Sequence, residues 1–147
     1  MHQDNFYPPG EGLIEEVGEG DGREYNLNVL FLLGSGVGAY ETAFNWVVLP
    51  ALTVFEPDLI YLAAGVDSGA IDPLGRMILH SEGYRNLTQL LVDAAQEHCD
   101  GRLVAAYEGG HSSAYAPFSG PAIVEELRRE TSDIEDPLMP IFAELGY

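Results

Sequence analysis

Three short apolar runs separated by segments of helical period set the architecture of this chain. Asn26 to Leu33 is the first run, ending in Gly34-Ser35-Gly36, which predicts a strand and a tight turn. Leu59 to Ala64 is the second and Leu103 to Tyr107 the third. Between them, Tyr40, Ala43, Phe44, Val47, Val48 and Ala51 recur at three and four, predicting an amphipathic helix over 39–52 that closes near Pro50. Ser81 opens a second helix through Leu87, Leu90, Leu91, Ala94 and Ala95 to Cys99, where Gly101 stops it. Gly120 to Arg129 predicts a third, with Ala122, Ile123 and Leu127 on its apolar side. Runs of this length alternating with helices imply parallel strands buried on both faces and joined by right-handed crossovers. The predicted class is α/β.

The two ends of the chain break this rhythm. Residues 1–24 hold Pro8, Pro9, five glycines and seven acidic residues without a steady period, so an irregular region with no core element is expected there. Thr131 to Tyr147 reads as a peripheral extension packing a few apolar residues.

Charge narrows the range of partners. Asp and Glu number 24 against 6 arginines and no lysine, a formal net charge of −18. A surface of that sign cannot neutralise a row of phosphates, which excludes nucleic acid as a partner. It favours cationic molecules such as polyamines or lysine-rich peptides through salt-sensitive steering, beside the plainer reading of a solvated acidic surface. The single cysteine, Cys99, excludes an internal disulfide and fits a reducing cytoplasm. No stretch approaches the roughly 18 apolar residues of a membrane span, and no export signal opens the sequence.

Candidate chemistry gathers at the ends of the second and third strands. Phe55 to Gly75 delivers Asp67 into a glycine-containing turn followed by Asp72-Pro73-Leu74-Gly75. Gly101 to His111 repeats the plan, with an apolar strand leading into Glu108-Gly109-Gly110 and then an imidazole. Ligands of open parallel sheets bind beyond the carboxyl ends of the strands, which makes Asp67 and His111 the candidate pair. Asp67 is placed to serve as a metal ligand or as an Asx turn, and Asp72 before Pro73 better suits the turn. His111 either caps its loop or faces a developing oxyanion beside the exposed amides of Gly109 and Gly110. Gly34 to Ala39 fits G-x-G-x-x-A, but Glu56 and Asp58 precede the next strand and Asp67 lies 31 residues after Gly36, so the turn is expected only to reverse the chain. No H-x-x-x-H, C-x-x-C or D-x-H spacing occurs.

Taken together, His2-Gln3-Asp4, Tyr7-Pro8, Tyr25 to Val29, Pro57 to Ile60, Ala64 to Asp67, Asp72 to Gly75 and Glu108 to Gly110 resemble the histone deacetylase superfamily, specifically class II-like deacetylases and acetylpolyamine amidohydrolases. The resemblance covers residues 1 to about 136. It implies a partial arginase/deacetylase-type three-layer fold over 1–136, with 137–147 as an extension. It further implies that Asp67 is an aspartate ligand of a catalytic zinc, that Leu74 lines the acyl-lysine channel with Gly109 and Gly110 shaping the pocket, and that His111 stands where a carbonyl-polarising tyrosine is usual. Tyr115 is the alternative phenol. The family's paired base histidines and its Asp-x-His ligand segment do not occur here, so Met1 is expected to fall inside such a domain. The expected function is the C-terminal half of a zinc-dependent deacetylase acting on an acetylated amine, completed by a separate N-terminal half, with self-association through open sheet edges as a further expectation. Alternatives are a catalytically dead binding or assembly module and, from the glycine turn, a nucleotide-binding domain.

Overall fold

The computed structural model describes residues 1–4 and 9–146; Tyr7 and Pro8 of the resemblance lie outside them. Among the described residues, four strands form two separate parallel pairs. β1 (His2–Gln3) pairs with β2 (Leu30–Phe31), and β3 (Ile60–Gly65) pairs with β4 (Leu103–Glu108), with Ile60 opposite Leu103 and Gly65 opposite Glu108. The parallel α/β class is as the sequence predicts. The extreme N-terminus is not element-free, however. His2 donates its N–H to the Val29 carbonyl at 3.0 Å and Asp4 to that of Phe31 at 2.9 Å, recruiting a two-residue strand too short to show any period. For the same reason only Leu30 and Phe31 of the 26–33 run are strand.

The first helical stretch runs past its expected end. α1 (Val37–Ala43) continues through a π-helical turn, Phe44–Val48, into α2 (Leu49–Phe55). The wide turn falls just before Pro50, whose ring would crowd the carbonyl four residues back in a regular α-helix and which has no N–H to give. Widening the turn there lets the helix carry the proline instead of ending at it. The G-x-G turn before α1 is occupied by the chain itself: Gly34 N–H donates to Arg76 at 2.8 Å and the Ser35 carbonyl accepts from Ile78 at 3.1 Å. It reverses the chain, as expected.

α3 (Ser81–Cys99) matches its predicted span and buries Tyr84, Leu87, Leu91, Ala94, Ala95 and Cys99 along one side. Its cap is His80, whose Nδ1 accepts from Gly83 N–H at 3.2 Å. α4 (Ala116–Arg128) starts a turn earlier than predicted, and α5 (Met139–Leu145) gives the C-terminal segment a helix of its own. α3 and α4 pack together beside the β3–β4 pair, and the main core joins Phe31, Tyr40, Phe44, Val66, Leu79, Leu87 and Ile123 across these elements. Among the described residues no helix is long and apolar enough to cross a membrane.

The expectation that the strands are buried on both faces is corrected here. Tyr61 on β3 is 62% exposed, and Val104, opposite it on β4, is also in the open. The helices cover one face of a two-stranded sheet and leave the other bare. A globular chain of 16.0 kDa exposes roughly 7,400 Å². This one exposes 9085 Å².

Candidate functional site

β3 ends at Gly65, and the next three residues, Val66–Ser68, form a single 3₁₀ turn that carries Asp67. Three contacts hold that turn from below. Val66 is buried, the Ser68 hydroxyl donates to the Gly65 carbonyl at 3.1 Å and lies 2.8 Å from the Tyr84 hydroxyl, and Tyr84 in turn reaches the Val66 carbonyl at 3.2 Å. Burial pushes the Tyr84 phenol far above its ordinary range. The Tyr40 phenol is pushed up to about 12 by burial, with the nearby Asp67 charge adding and Ser68 opposing. Both phenols therefore stay protonated and serve as fixed props.

The loop after β4 closes over Asp67. Gly109 has φ +59°, and a Cβ there would stand 2.8 Å from Asp67 Cγ, so both the backbone and the space demand glycine. At Gly110 a Cβ would meet Val66 Cγ2 at 2.3 Å. The two glycines thus lay bare backbone against the carboxylate. Among the described residues no hydrogen bond reaches the Asp67 side chain.

Asp72 is the opposite case. Its Oδ1 accepts from Leu74 N–H and Gly75 N–H, each at 2.8 Å, and its Oδ2 accepts from His111 N–H at 2.7 Å and Ser112 N–H at 3.2 Å. The side chain is 1% exposed. Burial alone would raise its pKa, but the N–H donors from Gly75, Leu74 and His111 and the imidazole beside it outweigh burial and hold the carboxyl below the usual range. One carboxylate therefore fastens the turn after β3 to the loop after β4. It fixes the backbone of His111 and leaves the imidazole half in solvent, with Nδ1 3.9 Å from Asp72 Oδ1. Leu74, 53% exposed, stands on the same turn.

The structure thus brings Asp67, Gly109, Gly110, His111 and Leu74 to one end of the β3–β4 pair. It does not bring Tyr115 to that opening. Tyr115 is 2% exposed and donates its hydroxyl to Asp136 at 2.6 Å. Burial, and then the Asp136 charge, push that phenol well up, so it remains a donor to Asp136 and is not an alternative to residue 111. The Tyr115–Asp136 pair was not legible in the sequence, because the two residues are 21 positions apart.

Asp67 suits a single metal ligand, since its turn is firmly held and its carboxylate is free of donors among the described residues. The chain offers no complete set: among the described residues no group of three or more His, Cys, Asp and Glu is gathered.

The family model described as the histone deacetylase domain matches residues 1–127. The histone deacetylase-like amidohydrolase of Pseudomonas aeruginosa is 50% identical over 138 residues, covering 94% of this chain and 36% of that protein. The probable deacetylase of Archaeoglobus fulgidus is 35% identical over 127 residues, 86% of this chain and 35% of that one. Among solved structures, the HDA15 HD domain aligns with a TM-score of 0.78 at 33% identity over 90% of this chain and 38% of its own. The histone deacetylase Clr3 aligns at 0.80 and 27% identity over 98% of this chain and 25% of its own. The chain spans about a third of the length of the curated relatives it matches. A match of the domain model over most of the sequence, joined to a deacetylase fold with parallel strands flanked by helices, places the chain in the histone deacetylase domain family.

Proposed function

We propose that this chain supplies the Asp67 side of a zinc-dependent deacetylase site that hydrolyses an acetylated amine, such as acetyl-lysine or an acetylpolyamine. The further zinc ligands and the general base would lie on polypeptide corresponding to the remaining two thirds of its relatives. The observation that carries this reading is the Asp67 carboxylate, held under Gly109 with no donor among the described residues, beside the turn of Leu74 and the loop of His111 that Asp72 locks together. Bound zinc would supply Lewis-acid activation of water and of the amide carbonyl. Asp67 would offer it one oxygen. Leu74 would give an apolar wall to the substrate's aliphatic stem, and Gly109 and Gly110 would let the substrate approach the backbone closely. His111 would act as a hydrogen-bond donor to the acetyl oxygen, its ring oriented by Asp72. The net charge of −18 would draw a cationic amine toward the site.

The bare face carrying Tyr61 and Val104 is where the complementary polypeptide would seat. The same face supports a second reading, a binding or assembly module without turnover. Mixing this chain with the unmatched portion of the Pseudomonas relative tests both. Acetyl-lysine hydrolysis that appears on mixing and is abolished by Asp67→Asn is the expected result. Hydrolysis that survives Asp67→Asn would overturn the site, and a stable complex without turnover would favour the module.

A further inference from the structure

The segment after residue 127 lies beyond the span of the family model, yet it reaches back into the site's supports. Asp136, almost fully buried, accepts through Oδ2 from the Tyr115 hydroxyl at 2.6 Å and from Ser81 N–H at 3.2 Å, and through Oδ1 from Leu138 N–H at 2.9 Å. Ser81 is the first residue of α3, so Asp136 caps that helix from a distant part of the chain. Phe142 of α5 packs on the His80 ring at 5.0 Å between centroids, fastening the segment a second time.

Tyr115 leads from there to the site by two routes. Its ring lies against the backbone of Gly69, where a Cβ would come within 3.0 Å of Cδ1, and Gly69 sits between Asp67 and Asp72. Its N–H donates to the Ser112 carbonyl at 3.1 Å, and Ser112 N–H donates to Asp72. We propose that Asp136 is a positioning residue: by anchoring Tyr115 it sets the turn that carries Asp67 and the loop that carries His111, so the segment after residue 127 controls the alignment of the site. The inference deepens the proposed function and rests on it for its catalytic consequence, whereas its structural core concerns only the two loops.

Amide hydrogen exchange on the 147-residue chain reads that core without any activity. In Asp136→Asn the amides bound to Asp72, those of Leu74, Gly75, His111 and Ser112, should exchange about tenfold faster, the loss expected for one charged hydrogen bond, while Leu87 to Leu91 in the middle of α3 keep their rates. Tyr115→Phe keeps the ring on Gly69 but loses the anchor; it should loosen the same four amides and covers the case in which Asp136→Asn fails to fold. Unchanged rates at those amides, or one common acceleration of every amide in both variants, would overturn the proposal. In the complemented enzyme the variants should lower kcat with KM nearly unchanged. A failure of complementation would count against the proposed function and leave the exchange result standing.

Discussion

At the scale of single residues, the site is governed by the division of labour between two aspartates five positions apart. Among the described residues Asp67 has no donor, and Asp72 has four. Asp72→Asn should destabilise the chain by on the order of 3 kcal/mol at neutral pH, because the amide N–H₂ would face backbone donors that now meet a charged acceptor. The sign with pH follows from the lowered pKa. Asp72 contributes stability that is present above its unfolded pKa and is lost as pH falls through the folded value, so the difference between variant and parent should shrink below about pH 4. Urea unfolding across that range measures it. The placement of Asp67 at a strand exit, and of Asp72 in the turn before Pro73, was legible because backbone geometry there is set locally. The bonds from Asp72 to His111 and Ser112 were not, since they join positions 39 and 40 apart.

At the scale of elements, long periodic segments were legible and short or strained ones were not. α3 declared both ends through a polar start and a glycine stop, and β3 and β4 through apolar runs bounded by Gly and Pro. β1 exists only because β2 offers it a partner, and the stretch after Phe44 stays helical only because a wide turn admits Pro50. Helix ends also carry a removable cost. Glu56, Asp100 and Arg129 follow α2, α3 and α4 with φ of +50°, +52° and +55°, left-handed values that suit glycine. Glu56→Gly should relieve roughly 1–2 kcal/mol of steric strain and return about 0.5–1 kcal/mol through greater freedom of the unfolded chain. The net gain of about 0.5 kcal/mol should appear as a higher urea midpoint with an unchanged slope.

At the scale of the whole molecule, two large terms oppose each other. Roughly 1,700 Å² of surface beyond that of an ordinary globule of this mass favours association, and a charge of −18 resists it. Screening decides the balance, because the Debye length falls from about 30 Å at 0.01 M salt to about 3 Å at 1 M. The purified chain should therefore be monomeric at low salt and self-associate as salt rises, as followed by sedimentation velocity. Placing a charge on the bare face, as in Tyr61→Glu, should hold it monomeric at high salt. A salt-independent mass would assign the exposed face no role in association.

The Asp72 carboxylate has a topological consequence as well. It closes a loop that contains all of α3 and β4, much as a covalent cross-link would, but one that opens with a proton instead of a reductant. A backbone nick in the short connection between α3 and β4 would leave the turn carrying Asp72 and the loop carrying His111 still hydrogen-bonded to each other.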